Sequence, residues 1–192
     1  MRPHGPGGHV TGWVMAHRRS NRRRSHWVVS LLEVQPGDRV LEIGFGPGIA
    51  VRDLAALATS GTVLGIDHSA IMVRHARRRN AAAVRAGRVD LRVASVSAMP
   101  DFGAPVDTIV AINSIGFWED PATRLEELRT LLRPGGQIAI ASQPRCPGAT
   151  EVTSARAAEE IEATLRSASF RDPRVETLAL DPPAVCVIAR RG

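Results

Sequence analysis

The sequence predicts an α/β protein, a three-layer sandwich of helices on a mainly parallel sheet. Three observations carry this. Short apolar runs alternate with amphipathic helical segments from about Arg39 onward. The first run, Val40 to Ile43, stops at a turn with glycine at alternate positions, Gly44, Gly46 and Gly48, and a helix begins at Ile49. The tail carries two strand-like segments, Arg174 to Leu180 and Ala184 to Ala189, joined at Asp181-Pro182-Pro183, the pattern of an antiparallel hairpin at a sheet edge.

Each element has its own signal. Gly12 to Leu32 is helical in pattern, with Trp13, Met15, Trp27, Val28, Leu31 and Leu32 as apolar anchors, and the polar stretch Arg18 to Ser25 is expected to split it in two. Gln35 to Asp38 is a turn leading into the first strand, Arg39 to Ile43. Ile49 to Thr59 is an amphipathic helix ended at Ser60-Gly61, and Thr62 to Ile66 is the second strand. Ser69 caps one helix expected to run to about Ala86, before Gly87. Val89 to Ala94 and Val106 to Ile112 are strands. Pro121 to Leu132 is a helix, Arg133-Pro134-Gly135-Gly136 a stop, and Gln137 to Ala141 the fifth strand. Residues 151–168 form the last helix.

The 192 residues suit one domain, and the 44% hydrophobic content is that of a globular protein. No apolar run reaches the roughly 18–20 residues of a membrane helix, and residues 1–12 lack a signal-like apolar core, so a cytoplasmic protein without membrane insertion is expected. Cys146 and Cys186 have no metal-like spacing and read as reduced thiols; no metal site is expected. The net charge is +6 and the pI about 11.1, yet every basic side chain other than histidine is Arg, and guanidinium keeps its charge to high pH. Of the two dense runs, Arg74 to Arg79 reads as a solvated helix face. Arg18 to Arg24, in the N-terminal arm, could touch an anionic substrate.

The glycine spacing is G-x-G-x-G with Glu42 two residues before it, and Asp67 ends the next strand 23 residues after Gly44. Asp67-His68-Ser69-Ala70-Ile71-Met72-Val73-Arg74-His75-Ala76 then follows a D-x-S-x-x-M-x-x-x-A pattern. This combination resembles the first motifs of class I S-adenosylmethionine (SAM)-dependent methyltransferases, over nearly the whole stretch from Arg39 to the C-terminus. The resemblance implies a Rossmann-like seven-stranded sheet in the order 3-2-1-4-5-7-6, SAM as cofactor with S-adenosylhomocysteine as product, and residues 1–32 as an arm that covers the cofactor.

It also implies site residues. Gly44, Phe45, Gly46 and Gly48 would line the methionine end of SAM. Glu42 would orient the loop or the ammonium region, or be structural. Asp67 would hold the ribose, with His68 beside the adenosine. Ser95 and Val96 stand where the family often has an acid for the adenine. Asn113 opens the segment across the methyl-donor face, and is not followed by the Pro-Pro-aromatic of amino-methylating enzymes. Phe117 and Trp118 could pack on adenine or substrate, or in the core. Methyl transfer proceeds by in-line displacement, and a base helps only some acceptors; His17 and His26 in the arm are the candidates. Trp13 and Gln143 are candidates for pocket lining. The small cap suits a small-molecule acceptor, or a site completed by a second subunit in a homodimer. RNA methylation through the Arg-rich arm, or SAM binding without methyl transfer, are the alternatives.

Overall fold

A computed structural model describes residues 20–192. The elements are α1 (20–30), β1 (Arg39–Ile43), α2 (Ile49–Leu57), β2 (Thr62–Asp67), α3 (Ala70–Arg79), α4 (Ala81–Arg85), β3 (Val89–Val93), β4 (Val106–Ile112), α5 (Pro121–Leu131), β5 (Leu132–Ser142), α6 (Glu151–Ser167), β6 (Phe170–Leu178) and β7 (Ala184–Arg191). One seven-stranded sheet has the order β3-β2-β1-β4-β5-β7-β6. Strands β1 to β5 run parallel, and β7 pairs antiparallel with both β5 and β6. This is the Rossmann-like order expected from the sequence.

The continuous apolar strands follow from burial on both faces. Along β1, Val40 packs with α1, α2 and α3 through Val28, Leu54 and Ala76, while Leu41 and Ile43 face α5 and α6 through Leu125, Leu128 and Leu165. Strand order reverses between β1 and β4, so a crevice opens at their carboxyl ends, where open α/β sheets hold their ligands.

Several boundaries differ from expectation, each for a long-range reason. From residue 20 the first helix is unbroken. Its polar stretch is tolerated because Arg24 and Ser25 turn inward and are buried. The helix after Ser69 breaks at Asn80, where the buried side chain donates to the carbonyls of Gly48, at 3.2 Å, and Ala76, at 2.8 Å. The Arg-Pro-Gly-Gly stop lies inside β5 instead of before it: Leu132 pairs with Val106 and Gln137 with Thr108, so residues 133–136 bulge out. Strand β6 begins four residues early, at Phe170, which is buried and pairs with Arg191.

Gly65 on β2 is fixed by contact alone. A Cβ there would sit 2.7 Å from Phe45 Cδ1 and 2.9 Å from Leu91 Cδ2. Gly65→Ala is expected to lower stability by about 1–3 kcal/mol, read as a lower urea midpoint with unchanged m-value. An unchanged midpoint would mean that this packing is loose.

Candidate active site

The turn after β1 is built around backbone conformations that side chains resist. Gly44, Gly46 and Gly48 have φ of 73°, 54° and 74°. Two of them are also filled spaces: a Cβ on Gly44 would lie 2.6 Å from Ser114 Cβ, and one on Gly48 2.7 Å from Ala76 Cβ. Gly46 alone of the three has open space where a side chain would go.

The three glycine N–H groups are all used within the protein. Gly44 donates to the Ile66 carbonyl at 2.8 Å, Gly46 to Asp67 Oδ2 at 2.8 Å, and Gly48 to the Phe45 carbonyl at 3.0 Å. The expected main-chain contact of the loop with a ligand therefore falls to groups other than these three N–H. Phe45 is 4% exposed and packs on Gly65, so its ring belongs to the core and only its main chain is left for a ligand.

Asp67 is buried, and its other oxygen, Oδ1, accepts from the Ser69 N–H at 2.8 Å. An ionised carboxylate has about four acceptor positions, so two remain for ribose-type hydroxyls. His68 beside it is exposed. Ser95 is also exposed, its hydroxyl 2.6 Å from that of Ser97, and Val96 packs against the core.

Glu42 is 2% exposed, and its Oε2 has no hydrogen-bond partner. Burial first, then the charges of Asp53 and Asp67, push its carboxyl up to about 8; the Val51 N–H at the start of α2 opposes this. A buried acceptor without a donor, on a crevice edged with acids, suits a cationic ligand group.

The tips of β4 and β5 are stapled by side chains. Asn113 accepts from the Gln143 N–H at 2.8 Å and donates to its carbonyl at 3.1 Å, so the Asn113 amide holds backbone. Ser114 donates to the Ile43 carbonyl at 2.8 Å, tying β4 to the glycine turn. Gln143 is buried: its Oε1 accepts from Ser20 and Arg24, and its Nε2 donates to the Pro182 carbonyl at 2.9 Å. It lines a cavity of about 470 Å³ with Ser20, Arg145, Cys146 and Asp181. Phe117 is 85% exposed, and Trp118 packs partly on the core.

His26 does not line that cavity. Its Nδ1 lies 2.6 Å from Asp53 Oδ2, on the seam between α1 and α2. Trp13 and His17 lie outside the described residues. Ile71 and Val93 are both more than half exposed near Asp67. Val93 is the register partner of Asp67, and Ile71 stands two residues beyond the Ser69 cap. No group of three or more His, Cys, Asp and Glu residues suited to a metal was found among the described residues.

A glycine turn, a buried acid ending the next strand and a crevice at the strand-order reversal define a nucleotide-cofactor-binding α/β protein. Residues 40–136 match the family described as "Methyltransferase domain". An uncharacterized methyltransferase, YdaC of Bacillus subtilis, is 27% identical over 183 residues, covering 95% of this chain and 98% of that one. The ubiquinone/menaquinone biosynthesis C-methyltransferase UbiE of Geotalea daltonii is 32% identical over 121 residues, covering 62% of this chain and 52% of that one. The crystal structure of a SAM-dependent methyltransferase from Aquifex aeolicus superposes with a TM-score of 0.65 at 22% identity, covering 88% of this chain and 89% of that one. The chain belongs to the methyltransferase-domain family, and is a class I SAM-dependent methyltransferase. Its cofactor is SAM.

The residues present fit that cofactor, which is cationic at its ammonium and sulfonium. The Glu42 carboxyl can accept from the ammonium, Asp67 from the ribose, and Gly46 leaves space for close approach. Glu42 has a second consequence. Its folded value lies above its unfolded one, so its contribution to stability is fully present below about pH 4.5 and is lost as pH rises through about 8. Glu42→Gln should therefore narrow the fall in Tm between pH 6 and pH 9, by on the order of a few kcal/mol in stability, while weakening SAM binding at least tenfold. A parallel pH dependence of Tm in both proteins would mean that Glu42 stays ionised throughout. Asp67→Ala should also weaken SAM binding, by calorimetry; unchanged affinity would remove its ribose role.

Proposed function

We propose that this methyltransferase acts on a small molecule. The observation that carries the reading is the cavity of about 470 Å³ at the tips of β5 and the β6–β7 turn, joined to the glycine turn through Gln143, Asn113 and Ser114. Its volume falls in the range of small-molecule sites. UbiE, the relative named for ubiquinone/menaquinone biosynthesis, supports the same class of acceptor. The Arg-rich run gives less support to RNA: Arg24 is buried, which withdraws one of its charges from any phosphate backbone.

When bound, SAM supplies an activated methyl on a positive sulfur. The chain's own task is then positioning and water exclusion. Glu42 and Asp67 would hold the cofactor from the β1 and β2 tips, and Gln143 would fix α1 over the acceptor side by joining it to the β5 tip and the β6–β7 turn.

Methyl-labelled SAM tests this against a panel of small organic acceptors and total RNA. Label is expected in a small organic product and not in RNA at about 0.15 M salt. Label in RNA that falls steeply with salt would overturn the small-molecule reading.

A further inference from the structure

Two cations meet at the Asn21 amide oxygen beside this cavity, Arg145 on its wall and Arg24 behind Gln143, with no acid between them. Arg24 on α1 is 4% exposed; its Nη1 donates to Gln143 Oε1 at 2.6 Å and its Nη2 to Asn21 Oδ1 at 3.0 Å. Arg145, on the cavity wall, donates to the same Asn21 oxygen. Arg24 Nε is buried without a partner. Among the described residues no carboxylate lies within 4.0 Å of either guanidinium, although seven arginine–carboxylate pairs form elsewhere. Residues 1–19 contain neither Asp nor Glu, so that segment cannot supply the missing counter-ion.

Burial, and then the charge of Arg145, lower Arg24 to about 10. Burial also lowers Arg145. Two like charges held by one neutral amide oxygen are costly unless an anion joins them. Asp181 also lines the cavity, but it is exposed and makes no ion pair with either arginine.

We propose that Arg24 and Arg145 form an oxyanion subsite, which binds a carboxylate or phosphate group carried by the methyl acceptor. This rests on the small-molecule reading above and names its substrate class. The anion would bridge the two guanidinium groups, with the Ser20 hydroxyl and the Gln143 amide setting the back wall. It would also lock α1 onto the β5 tip, because Ser20, Asn21 and Arg24 belong to α1 and Arg145 follows β5.

Cys146 makes the subsite readable on the full chain without cofactor. It is an exposed thiol on the cavity wall, while Cys186 is buried and its thiol is pushed up to about 12 by burial. Native labelling therefore reports Cys146. The rate of a dianionic aromatic disulfide reagent is divided by that of neutral iodoacetamide, with N-acetylcysteinamide as reference. The ratio is expected to exceed the reference at least tenfold. Arg145→Gln should cut it at least threefold, and Asp181→Asn should raise it. Inorganic phosphate and propionate separate the two sources: the matching anion slows the dianionic reagent in the wild type and not in Arg145→Gln.

Arg24→Gln should act like Arg145→Gln, but Arg145 is exposed, so its variant keeps the test intact if loss of Arg24 prevents folding. A ratio equal to the reference in wild type, Arg145→Gln and Asp181→Asn overturns the subsite. If anions act at Cys146 but no small acceptor is methylated, the small-molecule reading fails. If only neutral small acceptors are methylated and anions have no effect, the subsite fails and that reading stands.

Discussion

Asp67 accepts a hydrogen bond from the Gly46 N–H and another from the Ser69 N–H, both at 2.8 Å. Through these two bonds the end of β2 sets the turn after β1 and the start of α3 together. Gly46 must hold φ of 54° to present its N–H there. Gly44 in turn must lack a side chain for Ser114 to reach the Ile43 carbonyl. The tips of β1, β2 and β4 thus form one hydrogen-bonded unit, and Asn113 extends it to β5 and the cavity. The glycine turn and the cavity are two ends of one hydrogen-bonded edge of the sheet.

That edge is charged in a way that opposes stability. Glu42, with an orphaned oxygen, is buried near the negative charges of Asp53 and Asp67, and so holds its proton into the neutral range. At the other end Arg24 is buried without an acid. Groups shifted in this way cluster at functional sites. A cationic cofactor at the first end and an anionic acceptor at the second would each resolve one imbalance, and both would be held in register by the stapled strand tips.

Much of this was legible in the sequence, because it depended on local pattern. Alternating strands and helices pointed to the α/β sandwich, and the glycine spacing with Glu42 and Asp67 carried the family resemblance that implied the sheet order. What was not legible came from contacts distant in the chain. The break at Asn80 depends on the Gly48 carbonyl, 32 residues away. The bulge at 133–136 depends on how Val106 and Thr108 pair across it. Gln143 reads from the sequence as a candidate for pocket lining, but its joining of Ser20, Arg24 and Pro182 depends on residues far away in the chain. Arg24 sits in the run that could touch an anionic substrate, and only the helix orientation shows that it turns inward while Arg22 and Arg23 stay exposed.

The central claim is that the buried Glu42 carboxyl awaits a cationic group. Calorimetry of SAM binding at pH 7, in buffers of different ionisation enthalpy, measures the protons exchanged. A carboxyl at about 8 before binding and ionised after it should release a net roughly 0.5–0.9 proton per SAM bound, and Glu42→Gln should abolish this release. Binding with no proton exchange in the wild type would mean that Glu42 does not meet the cofactor's charge, and the account of this edge would fail.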